Sequence, residues 1–333
     1  MAKVKSDKYY RRIFGLFRPL FLLVGKFAFH CRTKRSVKYD EPVLILCNHT
    51  TDLDFLLVSK LIRNHFYFVC SRHIVGYKWF GKRFFKWFNP ITVFKGSKKT
   101  KEVMDVLGRI KRRNSVLIFP EGMRSHDGRT LFIAPSTAKL AKVANCKLVT
   151  VRIKGGFFKQ PRWNKGINGG KIIGAEIVNE YTKEYLKTAP NEEILNHIRE
   201  DLYVNAYAEQ EKAMIPYKLR HGAEGIERYF GVCPACGAVD SIRVNGNNIT
   251  CSCGLDATYS EYGYLSGEKM PFTKLTECQI LLGNFRNIKS KQRKQRVRKQ
   301  ATEKSSVVFY ILYFHHSTNI FTGQNLSCNF KKP

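Results

Sequence analysis

Acidic residues are scarce in this chain. Its 333 residues include 26 Asp and Glu against 58 Lys and Arg, a formal net charge of +32. So large a shortfall excludes a surface of balanced sign. It implies polyanionic partners: nucleic acid, anionic lipid headgroups or phosphorylated substrates. Charge alone does not choose among them. The excess is heaviest near the N-terminus, at 95–113 and at 289–299. Apolar residues are not in short supply; at 44% they can form a core and exclude a disordered chain. The length suits one large α/β domain plus a small module.

A long unbroken apolar run is also missing. Residues 13–31 are apolar and aromatic, but Arg18, Pro19 and Lys26 interrupt them. A membrane span needs about 20 mainly apolar residues. The stretch reads instead as a basic, aromatic segment lying in a membrane interface, or as a helix packed on the domain. Residues 307–314 are apolar but too short to cross a bilayer. No secretory signal and no internal repeat are visible. The ten cysteines lack the spacing of a secreted disulfide framework. Six of them (Cys31, Cys47, Cys70, Cys146, Cys278 and Cys328) are scattered, and read as reduced thiols in a cytosolic setting.

Beyond the basic linker 32–38 the pattern alternates. Short apolar runs suited to buried strands fall at 43–47, 66–70, 91–94, 115–119 and 148–153. In 100–113 the residues Val103, Val106, Leu107 and Ile110 make one helix face. Residues 136–144 and 192–208 also read as helices, the latter with a stripe of Ile194, Ile198 and Leu202. The alternation predicts an α/β fold, a mixed, largely parallel sheet flanked by helices. Polar residues follow four strand runs: Asn48 and His49, Ser71 and Arg72, Lys95 and Gly96, then Pro120, Glu121 and Gly122. Ligands of open α/β sheets bind beyond the carboxyl ends of the strands, so one sheet edge gathers these groups.

Two of those ends carry chemistry. Asn48-His49-Thr50-Thr51-Asp52-Leu53-Asp54 puts four residues between a histidine and an aspartate. An alcohol is a poor nucleophile at neutral pH and needs a base; a neutral imidazole serves. A carboxylate on its other nitrogen fixes the tautomer and stabilises the imidazolium. Phe119-Pro120-Glu121-Gly122-Met123-Arg124-Ser125 closes a strand with a carboxylate, a glycine and an arginine in one turn. Gly122 permits close backbone approach, Arg124 can fork onto a phosphate, and Glu121 suits orientation of Arg124 or of a substrate hydroxyl.

With these blocks the chain resembles the glycerolipid acyltransferases, in particular bacterial 1-acyl-glycerol-3-phosphate acyltransferases, which carry Asn-His-x4-Asp and Phe-Pro-Glu-Gly-x-Arg-Ser. The resemblance covers roughly residues 37–222. It implies transfer of a fatty acyl group from an acyl-carrier-protein or coenzyme A thioester to lysophosphatidic acid, giving phosphatidic acid. It implies His49 and Asp54 as the catalytic pair, no catalytic cofactor, and Glu121, Gly122 and Arg124 at the acceptor phosphate. Lys95 stands where the family usually has arginine, and Arg72 is a further phosphate candidate. The fourth family block, 149–156 here, lacks its usual proline. Acylation of a different lysolipid or of glycerol 3-phosphate is the alternative.

Cys233, Cys236, Cys251 and Cys253 form two close pairs, the second one residue tighter than the usual spacing. Four thiolates suit a closed structural zinc site, which leaves no open position for catalysis. The expected organisation is a membrane-contact arm over 1–36 and an acyltransferase domain over 37–222. A zinc-ribbon-like module over 226–265 and a basic tail over 284–333 follow. The expected location is peripheral, at the cytoplasmic face of a membrane with an anionic surface. A nucleic-acid-binding protein would also account for the ribbon and the charge, but not for His49–Asp54 or the Glu121–Arg124 turn.

Overall fold

A computed structural model describes residues 5–31, 33, 36–71, 78–93, 100–164, 166–171, 174–218 and 221–278. The tail read over 284–333 lies outside them. Helix α1 (Asp7–Phe27) leads into β1 (Val43–Cys47), α2 (Asp54–Leu61), β2 (Phe66–Ser71), α3 (Lys78–Phe88) and β3 (Ile91–Val93). Then come α4 (Thr100–Lys111), β4 (Ser115–Ile118), α5 (Ser136–Val143), β5 (Lys147–Lys154), α6 (Gly156–Lys159) and β6 (Gly174–Tyr181). Helices α7 (Lys183–Thr188), α8 (Asn191–Leu202), α9 (Ala206–Ala213) and α10 (Ile226–Phe230) precede a small set of strands: β7 (Arg243–Asn245), β8 (Asn248–Cys251), β9 (Leu255–Tyr259) and β10 (Leu265–Glu268).

The large sheet has the order β3-β2-β4-β1-β5-β6. All its pairings are parallel except β5 with β6, which is antiparallel. The expected mixed, largely parallel sheet is therefore present. β1 is the centre: its side chains are at most 1% exposed, and they alternate between two cores. Val43, Ile45 and Cys47 join residues of α1, α2 and α3 on one face. Leu44 and Leu46 join residues of α4, α5, α7 and α8 on the other. Full burial of one such aliphatic side chain contributes about 1.5–3 kcal/mol, enough to fix the register against a one-residue slip.

Each expected strand is found within a residue or two of its reading, and so are α4 and α5. The single helix read over 192–208 is in fact α8 and α9, parted at 203–205. There the backbone leaves the helix to pair with 128–130: Thr130 N–H donates to the Val204 carbonyl, and Ala206 N–H to that of Gly128. Asn205 then caps α9 by accepting from Ala208 N–H.

The N-terminal segment is a helix of 21 residues, longer than the apolar run suggested. Ser6 caps it, and Tyr10, Phe14, Phe21 and Gly25 are buried. Phe14 meets Phe66, Phe17 meets Trp87, and Phe21 meets Phe55, with ring centroids 5.3, 5.2 and 5.8 Å apart. Leu16, Leu20, Leu23 and Phe27, on another face, are each at least half exposed. No helix among the described residues is long and apolar enough to cross a membrane.

The small strands form an antiparallel sheet ordered β10-β9-β8-β7. It shares one continuous packing with the α/β body within a compact unit spanning 1–279. Tyr207 O–H donates to the Gly263 carbonyl at 3.0 Å. Trp163 packs edge-on to Tyr259 at 5.7 Å. Gly263 has φ +83 and lies so close to Phe158 that a Cβ would fall 2.2 Å from its Cε1.

Candidate active site

The site is assembled at the carboxyl end of β1. Asn48 continues that strand with its side chain: Nδ2 donates to the Ile153 carbonyl at 2.9 Å, and Oδ1 accepts from Ile153 N–H at 2.7 Å. This amide imitates one more rung of pairing to β5, so the chain leaves the sheet at a fixed point. His49 is the next residue. Its Nδ1 is 3.0 Å from Asp54 Oδ2, and its ring stacks on Phe119 with centroids 4.3 Å apart.

Asp54 opens α2 and is 1% exposed. A buried carboxylate needs donors, and the intervening loop supplies them. Thr50 N–H donates at 2.6 Å to Oδ2, and Thr51 N–H at 3.0 Å to each oxygen. The hydroxyls of Thr50 and Thr51 donate to Oδ1 at 3.1 and 2.6 Å. A carboxylate so solvated by charge-assisted bonds accepts from His49 Nδ1–H and leaves Nε2 as the basic nitrogen. The side chain of His49 is 21% exposed, so the imidazole remains open to solvent or substrate.

Glu121 acts on this loop from behind. Its Oε1 accepts His49 N–H at 2.7 Å and its Oε2 accepts Leu131 N–H at 2.6 Å. Burial, only partly offset by those two donors, pushes its carboxyl up to about 7, and the charge of Asp54 adds to the rise. Both oxygens are thus engaged by main chain; the role on view is to hold His49 and the 131 loop, rather than to reach Arg124. Ser125 N–H adds a further tie, donating to the His49 carbonyl at 2.9 Å.

Gly122 adopts φ +73 in the turn, with open space where a Cβ would stand. The backbone conformation there calls for glycine. Arg124 Nε forms an ion pair with Asp52 Oδ1 at 3.2 Å, and its Nη groups make long bonds to the carbonyls of Gln160 and Arg162. His49, Asp54, Glu121, Gly122 and Arg124 are therefore brought together. Arg72 and Lys95 lie outside the described residues.

The far wall of the loop comes from the β5–α6 turn. Gly155 has φ +78, and Gly156 packs so tightly that a Cβ would fall 2.1 Å from Thr50 Oγ1. Tyr217 O–H donates to the Gly155 carbonyl at 3.3 Å. Gln160 accepts from Asp52 N–H at 3.0 Å and returns an N–H to its carboxylate at 3.3 Å. The sequence motifs do not mark Gln160, and the threonine hydroxyls inside the first block were the available hint of how Asp54 is held. Cys47 is fully buried, and burial holds its thiol well above the ordinary range, which rules against a nucleophile.

The four clustered cysteines converge. All four Sγ atoms lie within 4.8 Å of one another, with Cys233–Cys253 at 3.8 Å and Cys236–Cys251 at 4.0 Å. Thiolates around a tetrahedral zinc at about 2.3 Å stand about 3.8 Å apart, so the donor set fits that ion. The tight second pair is accommodated because Cys251 ends β8 while Cys253 lies in the β8–β9 turn. The cluster could hold a metal ion.

The family model described as Acyltransferase matches residues 28–154. A 1-acyl-sn-glycerol-3-phosphate acyltransferase of Cocos nucifera is 25% identical over 224 residues, which cover 64% of this chain and 68% of that protein. The crystal structure of the 1-acyl-sn-glycerophosphate acyltransferase of Thermotoga maritima superposes with a TM-score of 0.50 at 16% identity, covering 64% of this chain and 85% of that one. That likeness concerns the fold. With two unaltered motif blocks meeting at one sheet edge, and both inside the stretch that the Acyltransferase model matches, the chain resembles the glycerolipid acyltransferases.

Proposed function

We propose that the chain transfers a fatty acyl group from a carrier-protein or coenzyme A thioester to the free hydroxyl of lysophosphatidic acid, forming phosphatidic acid. The observation that carries this reading is His49 Nδ1 bonded to the buried carboxylate of Asp54, which Thr50 and Thr51 donors hold in place. His49 Nε2 takes the hydroxyl proton as the oxygen attacks the thioester carbonyl. The C–O bond forms, the C–S bond breaks, and the proton passes from the imidazolium to the departing thiolate. Asp54 stabilises the imidazolium meanwhile. Arg124 holds the acceptor phosphate and so places the hydroxyl, with Lys95 and Arg72 as further candidates.

Two ancillary readings belong with this one. The exposed stripe Leu16, Leu20, Leu23 and Phe27, on a chain of net charge +32, suits contact with an anionic membrane surface at its cytoplasmic face. The four thiolates suit a structural zinc that braces the small sheet and takes no part in the chemistry.

The test is turnover by the purified protein with labelled lysophosphatidic acid and both donor types. His49→Ala should lower kcat by about 10²–10⁴-fold with little change in acceptor KM. Arg124→Ala should chiefly raise KM for lysophosphatidic acid, and much less for an acceptor without phosphate. Near-normal turnover in His49→Ala would end the acyltransferase reading.

A further inference from the structure

One guanidinium beside this site plays no part in the mechanism above. Arg162 follows α6 and is partly buried. Its Nη1 lies 3.3 Å from Met123 Sδ, 3.3 Å from the Arg124 carbonyl oxygen and 2.8 Å from His126 Nε2. All three partners are neutral acceptors when His126 accepts. Among the described residues no carboxylate stands within ion-pair distance of Arg162. The nearest influence of that sign is Asp52, which is engaged by Arg124 and is 61% exposed.

Arg124 and Arg162 are tied to each other through main chain. Arg124 Nη2 donates to the Arg162 carbonyl at 3.4 Å, while Arg162 donates to that of Arg124. Two guanidiniums therefore meet in a half-buried corner whose one carboxylate, Asp52, pairs with Arg124, and burial together with Arg124 depresses the pKa of Arg162. Arginine does not shed its proton in a protein, so the uncompensated charge calls for an anion. The corner adjoins the catalytic loop directly, through Asp52 on one side and the Ser125 N–H to His49 carbonyl bond on the other.

The number of forks bears on which anion. One guanidinium fork engages two phosphate oxygens, all that a phosphodiester leaves unesterified. A phosphomonoester has three, and carries nearly two charges at neutral pH. A second fork gains most on the third oxygen. We propose that Arg162 is a specificity-determining residue of the acceptor site, gripping the phosphate jointly with Arg124 and selecting a phosphomonoester lysolipid over one whose phosphate bears a headgroup. This rests on the acyltransferase reading.

The experiment compares lysophosphatidic acid with lysophosphatidylglycerol in mixed micelles, using the full chain and Arg162→Gln. KM for the monoester should rise about 10- to 100-fold, the loss typical of a charge-assisted bond, with kcat changed far less. The diester should lose little, so the preference collapses. Arg162→Lys, which keeps the charge but not the fork, should fall between. It also serves if the glutamine variant fails to fold. Equal KM increases for both acceptors, or none, would overturn the proposal. Should the wild type turn over neither acceptor, the lysophosphatidic acid reading fails, and equilibrium binding to the two micelles decides instead. Preferential binding of the monoester that Arg162→Gln abolishes would uphold the anion site, and indifference would refute it.

Discussion

Replacing Gly156 by alanine would put a Cβ 2.1 Å from Thr50 Oγ1, 2.8 Å from Thr50 Cβ and 3.3 Å from Thr51 Cγ2. The backbone at Gly156 is outside the left-handed region, so alanine meets no conformational objection and the effect is purely one of space. Thr50 is 7% exposed, and its hydroxyl is committed to Asp54 Oδ1, so it cannot turn aside without giving up that bond. Overpacking of this kind costs about 1–3 kcal/mol. Loss of a hydrogen bond to a buried carboxylate adds about 1.5–3 kcal/mol. The loop that moves is the one carrying His49, and a displacement of about 1 Å is enough to cost on the order of 10²-fold in rate. Urea denaturation and steady-state kcat should therefore fall together. A double-mutant cycle with Thr50→Ala sharpens the test. It removes the 2.1 Å contact but leaves a methyl at 2.8 Å, so recovery should be partial, with a coupling of about 1 kcal/mol or more. Wild-type stability and turnover in Gly156→Ala, or strictly additive effects in the cycle, would refute the claim that this turn sets the His49 loop.

Three further outcomes are expected. The carboxyl of Glu121 is raised from 4.5 to about 7, so its protonated form stabilises the fold, a contribution complete below about 4.5 and lost as pH rises through about 7. The stability advantage of the wild type over Glu121→Gln should shrink between pH 5 and pH 8, and a flat difference in urea titrations would contradict the burial argument. Cys236→Ser should lower zinc content, from about one ion per chain, and lower stability with it, as metal analysis and thermal melting would read; folded, metal-free protein of unchanged stability would count against a structural site. Leu20→Glu with Leu23→Glu should weaken sedimentation with anionic vesicles and leave the melting temperature nearly unchanged, since both side chains are half exposed; undiminished binding would remove the stripe from any lipid contact.

How much of this could be read in advance depended on whether the signal was local. The five parallel strands are short, mainly apolar runs, and their Val, Leu, Ile and Phe mark them without reference to anything distant. Strand β6 lacks that mark. It is an edge strand with polar residues at Asn179 and Glu180, and its pairing to β5 is what makes it a strand. The break at 203–205 was hidden for a similar reason, because the competing partner is backbone more than 70 residues away in sequence. At the site, His49, Asp54 and Arg124 carry chemical character of their own and were legible. Gln160 and Arg162 were not, since an amide and a guanidinium in a loop gain meaning only from what the turn beside α6 places next to them. Glu121 shows a third case. Its type suggested a polar partner, but backbone amides satisfied it.

The latch of the first helix has a consequence for the order in which the molecule is made. Arg11 bonds the side chain of Asn114, 103 residues further on, and Asp7 reaches Tyr67 and Arg112. At ribosomal speeds of about 5–20 residues per second, Asn114 is synthesised on the order of 5–20 s after Arg11. Throughout that interval the aromatic face of α1, Phe14, Phe17 and Phe21, has no sheet to lie on, while its leucine face stands equally bare. An amphipathic segment in that condition presents its apolar surface to its surroundings until the sheet is complete. The helix thus meets its surroundings before it meets its own domain. Docking then covers the aromatic face and leaves the leucine face exposed.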